Sequence, residues 1–190
     1  MSDKREAILR ASAQEIARHG VRGLRVTEVA AGAGVSTALL YYHFTDRTGL
    51  LDAALRYMTD RANNYRLALD APGDSAWQRL VNHLTQEFQD DPIVVETTLA
   101  WGELRATAVY EPELRASIAS AAEVWRGEVR ESILEVRDAG ELTSGIDVDA
   151  ASAILVVLME GLGAQWMCGE ITVVQAQQAV TVAAESLLRR

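Results

Sequence analysis

Residues 27–44 read TEVAAGAGVSTALLYYHF, two short helical stretches that meet at a Gly-Val turn. Thr27 and Ser36 are hydroxyl residues placed to accept a bond from orphan backbone donors one turn into each helix, while Gly32 and Gly34 relax the backbone between them. Val26, Val29, Ala30 and Ala33 recur at helical spacing, and Val35, Leu40 and Phe44 form a second apolar edge that closes onto them. With those residues turned inward, Thr37, Ala38, Leu39, Tyr41, Tyr42 and His43 are left outward. That is an unusual surface for water alone. The pattern predicts a DNA-binding helix-turn-helix, against the plainer alternative of a core helix rich in aromatics.

The flanking residues favour the first reading. After Phe44 comes TDRTGLLDAAL, in which Thr45 or Asp46 caps a further helix and Arg47 occupies its first turn. A cation at a helix start is locally unfavourable, so it calls for a partner, and a phosphate fits. Upstream, REAILRASAQEIARHG places Ala7, Ile8, Ala11, Ile16 and Ala17 on one face of a first helix, with Gly20 as a left-handed stop.

Taken together, REAILRASAQEIARHGVRGLRVTEVA and GVSTALLYYHFTDR resemble the amino-terminal domain of the TetR family of transcriptional regulators, over roughly residues 4 to 56. The resemblance implies that Thr37, Ala38 and Leu39 face bases and that Thr27, Ser36, Tyr41, Tyr42, His43 and Arg47 contact phosphates. The base-facing trio holds no Arg, Lys, Asn or Gln, so the bidentate hydrogen bonds that best separate bases are out of reach. Readout through thymine methyl groups, DNA shape and half-site spacing is expected instead. Arg22 and Arg25 are placed to add groove or phosphate contacts.

Charge is unevenly spread. Residues 1–60 carry eight Lys or Arg against seven acids, whereas residues 61–190 carry ten against twenty, so nearly all of the net charge of -9 lies in the second part. Any contact with DNA must then be local. The expected domains are residues 1–47, the reader, and residues 48–190, a helical regulatory and dimerisation body.

The expected fold class is all-α, for no segment alternates with period two and the prolines, Pro72, Pro92 and Pro112, each mark a helix boundary. A fourth helix over about Asp46–Leu69 links reader to body. Further helices are expected over Ser75–Gln89, Pro92–Ala108, Pro112–Ala139 with a stop at Gly140, Asp149–Cys168 and Thr172–Leu188. Residues 150–168 are long and apolar, but Glu160 and Gln165 argue against a membrane span. No signal peptide is read at the amino terminus. The single cysteine, Cys168, reads as a buried small hydrophobe of a cytoplasmic protein.

The apolar residues of the last two helices exceed one stripe, so both need covering on several sides. Burial inside one subunit is one solution. The resemblance implies another, a homodimer through a four-helix interface that includes Leu158, Gly161, Leu162, Val180, Ala183 and Leu187. It also implies a small-molecule effector. Trp101, Tyr110, Trp125, Trp166 and Met167 are candidates to line its pocket, with Glu96, Glu103 and Glu160 as anionic anchors. Trp101 and Trp125 equally fit core stripes, and Glu96 and Glu103 equally face water. Glu160 is paired across the dimer, protonated, or turned to a cavity.

Catalytic parts are missing from the sequence: His19, His43, His83 and Cys168 show no metal spacing, and no phosphate-cradling loop follows a strand. Neither an enzyme nor a cofactor is expected. The expected function is a DNA-binding regulator, a repressor released from a palindromic operator by a small molecule. A ligand-independent or activating regulator, and a helical protein-interaction module, are the alternatives.

Overall fold

The computed structural model describes residues 3–67 and 73–189. Among them all regular structure is helical: α1 (Asp3–Gly23), α2 (Val26–Gly32), α3 (Thr37–His43), α4 (Arg47–Leu67), α5 (Ala76–Thr85), α6 (Pro92–Ala108), a 3-10 turn (Pro112–Leu114), α7 (Arg115–Asp138), α8 (Val148–Met167) and α9 (Val173–Leu188). The expected all-α class is met. The expected end of the fourth helix at Leu69 and the boundary at Pro72 lie outside the described residues.

Two compact units emerge, and each is discontinuous in sequence, unlike the linear boundary after residue 47: Met1–Ala62 with Val95–Ala121, and Asn63–Val94 with Ala122–Arg190. In the first unit α1, α2 and α3 pack on one another around Ile8, Ile16, Val29 and Leu40, each with no exposed surface. Phe44, Leu50, Leu51, Leu104 and Ile118 extend this core, and Trp101 packs against its edge. Ser12 is buried among apolar neighbours, and its hydroxyl donates to the Ile8 carbonyl at 2.8 Å, which removes the cost of an unpaired polar group.

The helix ends follow from local chemistry. Gly20 interrupts α1 with φ 69°, the left-handed stop expected from sequence. The Asp46 carboxylate accepts the Gly49 amide at 2.7 Å and caps α4. The cap expected of Thr27 is not formed. Arg25 is the residue before α2, in extended conformation, and its carbonyl accepts the Glu28 and Val29 amides at 3.0 and 3.1 Å. The helix therefore begins at Val26, and Thr27 lies exposed within its first turn.

In the second unit α9 packs against α8 and α5. Leu80, Leu84, Phe88, Val129, Ile133, Leu155, Met159 and Val180 form its core. Asp147 caps α8 through the Ala150 amide at 3.0 Å, and Thr172 and Gln175 form a reciprocal capping box on α9. The Arg189 guanidinium lies 4.1 Å from the centre of the Trp77 ring and donates to Glu141, tying the last turn down. At α7 the Arg130 guanidinium is pushed above its ordinary range by its hydrogen bond to Asp149, 2.6 Å away on α8, and by that carboxylate's charge. Among the described residues α8 is the one helix long and apolar enough to cross a membrane; Leu155, Met159 and Trp166 on it are buried inside the unit. Cys168, expected to be buried, is exposed, because α8 ends at Met167 and the cysteine is already in the turn.

Candidate nucleic-acid interface

The turn between α2 and α3 is built by two backbone hydrogen bonds, Gly34 amide to Ala31 carbonyl at 3.0 Å and Val35 amide to Ala30 carbonyl at 2.9 Å. Gly34 has φ 63°, a conformation that costs L-residues with a Cβ roughly 1–2 kcal/mol. Ser36 then leaves the turn extended, and its hydroxyl accepts the Leu39 amide at 3.1 Å, so α3 starts at Thr37.

Once α3 is started there, helical geometry decides which side chains face out. Leu40 is fully buried, and Phe44, which ends the helix in extended conformation, is 4% exposed. Those two anchors turn Thr37, Ala38, Tyr41 and Tyr42 outward, with Tyr42 82% exposed and Tyr41 50%. Leu39 and His43 are half-buried; the His43 ring meets the Tyr42 ring edge-on at 5.4 Å. Thr27 and Ser36 are exposed beside them in sequence. At the far end of α3 the Arg5 guanidinium stacks over the Phe44 ring at 5.3 Å, which brings the first turn of α1, with exposed Lys4, to this end. No sequence pattern marks that approach, since it depends on how α1 crosses α3.

Arg47 departs from its expected place. Its guanidinium donates to the Val21 carbonyl at 2.6 Å and to the Glu111 carboxylate at 3.2 Å, so the cation in the first turn of α4 finds its partners within the protein. Asp46 already supplies the negative charge that the α4 amino terminus favours. Arg22 is likewise engaged, over the Tyr110 ring at 5.4 Å, whereas Arg25 is exposed at the entrance to α2.

The eight residues expected to line a ligand pocket divide between the two units. Glu96, Trp101, Glu103 and Tyr110 belong to the first. There Glu96 accepts from Arg61 at 2.8 Å, Trp101 packs on the core, Glu103 accepts from the Val21 amide at 3.3 Å, and Tyr110 is 73% exposed under Arg22. Glu103 and Tyr110 thus both meet the end of α1. Trp125, Glu160, Trp166 and Met167 belong to the second unit, where Trp166 is 8% exposed and meets Phe88 edge-on at 6.2 Å. Trp125, Glu160 and Met167 are half-buried. An open groove of about 430 Å³ beside α9 is lined by Thr85, Val174, Gln177, Gln178, Thr181 and Val182, none of the eight.

The expected interface set on α8 and α9 also divides. Val180 has no exposed surface and Leu162 is 8% exposed, so both are consumed by the core of a single chain. Leu158, Ala183 and Leu187 are half-buried, and Gly161 is exposed with open space around it. The exposed apolar residues are instead Ile154 and Val157 on α8 and Val174 and Val182 on α9. Their steps of three and eight, one and two helical turns, are the signal in the sequence that marks one outer stripe on each helix.

A capped seven-residue helix holding a polar and aromatic face outward, on a three-helix core joined to a helical body, defines a helix-turn-helix DNA-binding regulator. Residues 8–54 match the family model of bacterial regulatory proteins of the tetR family, and residues 76–189 match that of the BetI-type transcriptional repressor, C-terminal. The chain belongs to the TetR family of transcriptional regulators. It is 46% identical to a TetR-family regulator from Rhodococcus sp., with a TM-score of 0.93 over 99% of this chain and 100% of that one. A regulator from Saccharomonospora viridis solved in complex with choline has the same fold, with a TM-score of 0.86 at 24% identity and full coverage of both chains. The HTH-type transcriptional regulator BetI of Escherichia coli strain K12 / DH10B is 30% identical over 115 residues, 60% of this chain. Those residues span 59% of the length of that relative.

Proposed function

We propose that the chain is a homodimeric, cytoplasmic repressor that binds a palindromic operator through Thr37, Ala38 and Leu39 and leaves it when a small molecule binds the body. The observation that carries the DNA-reading part is α3 itself: Leu40 and Phe44 buried, Ser36 capping, and Thr37, Ala38, Tyr41 and Tyr42 presented outward. Residues 1–47 act as the reader, with Thr27, Ser36, Tyr41, Tyr42 and His43 on phosphates beside exposed Arg25. Arg47 supports the reader from within. Residues 48–190 regulate and dimerise.

Dimerisation is supported by the apolar face of Ile154, Val157, Gly161, Val174 and Val182, and by the need of one short reader for a second copy to raise its effective concentration on DNA. The effector is a compact organic cation, a class supported by the choline bound to the Saccharomonospora viridis protein and by the BetI-type match of the body. Its release of the operator requires unequal affinity for the bound and free conformations. The chain acts as a regulator and not as an enzyme, a reading supported by the match of both its segments to regulator families.

Selecting duplexes from a random pool with the purified protein tests this. A palindromic consensus, bound with an affinity that falls as salt rises and that choline weakens, is the expected result. Recovery of no consensus, with binding indifferent to salt, would leave a protein-interaction module.

A further inference from the structure

Residues 20–22, where α1 breaks before the chain enters α2, are gripped from several directions. The Val21 amide donates to the Glu103 carboxylate at 3.3 Å, and the Val21 carbonyl accepts from Arg47 at 2.6 Å. Arg47 is itself held by Glu111 at 3.2 Å, and the Arg22 guanidinium lies over the Tyr110 ring. Glu103, Tyr110 and Glu111 come from α6 and the turn after it; Glu103 is 82 positions from Val21, and Glu111 is 64 from Arg47. The Val21 carbonyl also accepts the Leu24 amide at 3.3 Å, so the gripped peptide begins the turn that launches α2. Glu103 sits against the break itself: a Cβ at Gly20 would lie 2.6 Å from its Oε2.

We propose that Glu103 is a positioning residue for DNA reading, acting through the Val21 peptide to set the angle at which the chain enters α2 and α3, with Glu111 assisting by orienting Arg47. This rests on the DNA-reading function above and adds residues outside the reader's own sequence to it. The charge of Glu103 by itself opposes DNA. Removing an ordinary acid beside a DNA-reading surface strengthens binding to every duplex through lost repulsion. Removing a positioning acceptor weakens binding, and weakens it most for the selected duplex, whose contacts depend on orientation. A glutamine keeps an acceptor oxygen and drops the charge; an alanine drops both.

Binding of the full chain to a wild-type-selected duplex and to an unselected one, read by fluorescence anisotropy, is the test, with hydrogen exchange at the Val21 amide. Glu103→Ala is expected to lose about tenfold in affinity for the selected duplex, to leave the unselected one unchanged or tighter, and to speed Val21 exchange about tenfold at an unchanged melting temperature. Glu103→Gln is expected to bind at least as tightly as wild type. Should Glu103→Ala fail to fold, Glu111→Ala provides the same comparison and is expected to lose selected binding severalfold. Tighter binding of both duplexes by whichever alanine variant folds overturns the proposal alone. If the wild-type protein selects no duplex, the DNA-reading function falls before any variant is compared, and the proposal falls with it.

Discussion

Arg61 on α4 donates to Glu96 on α6 at 2.8 Å, with only 22% and 18% of the two side chains exposed. Partial burial lifts such a pair above most surface ion pairs. A double-mutant cycle of Arg61→Ala and Glu96→Ala, followed by urea denaturation, is expected to give a coupling of about 1 kcal/mol. A coupling of zero means that the pair is too well solvated to matter.

The Ser36 hydroxyl is the side-chain cap of α3. Ser36→Ala is expected to lower stability by about 1 kcal/mol and Ser36→Asp to restore it. Thermal unfolding of the three proteins checks the order. Operator affinity in Ser36→Asp stays low, because the added charge repels phosphates.

Tyr42 is 82% exposed, so Tyr42→Ala leaves unfolding free energy within about 0.5 kcal/mol of wild type. Its loss is expected in DNA affinity alone, with an unchanged slope of log affinity against log salt, since a phenol displaces no counterion. Arg25→Ala contrasts with it. There the slope becomes shallower by about 0.9, the counterion share of one phosphate contact on duplex DNA.

On the outer face of α8, Val157 is 66% exposed and Gly161 has open space around it. Val157→Glu is expected to yield a folded monomer by sedimentation and to weaken operator binding more than tenfold through lost linkage of two readers. A dimer that survives this substitution places the interface elsewhere.

Much of this architecture was legible because it rests on short-range chemistry. Ser36, Asp46 and Thr172 each act within three residues of themselves, and Gly20 and Gly140 adopt the left-handed conformation expected of helix stops. Contacts between distant segments were not legible. The partners of Arg47 lie 26 and 64 positions away, so nothing local shows that a cation expected on phosphate also braces the chain. Glu103 and Tyr110, candidates for the pocket by residue type, meet Val21 and Arg22 through contacts that no local pattern signals. Val180 and Val182 differ in sequence by two positions on an apolar helix, yet one has no exposed surface and the other is 54% exposed. Composition does not separate them; two positions along a helix turn the side chains to nearly opposite sides, and α9 packs on α8 and α5 over one side.

The turn at Gly34 carries a last consequence. Its φ is 63°, and a Cβ there meets nothing within 4 Å. Handedness, not bulk, is what the site polices. A D-alanine introduced by peptide ligation carries its methyl on the opposite side of Cα, holds this φ in its preferred dihedral region, and narrows the freedom of the unfolded chain. The mirror-image residue is therefore expected to stiffen the reader where L-alanine strains it.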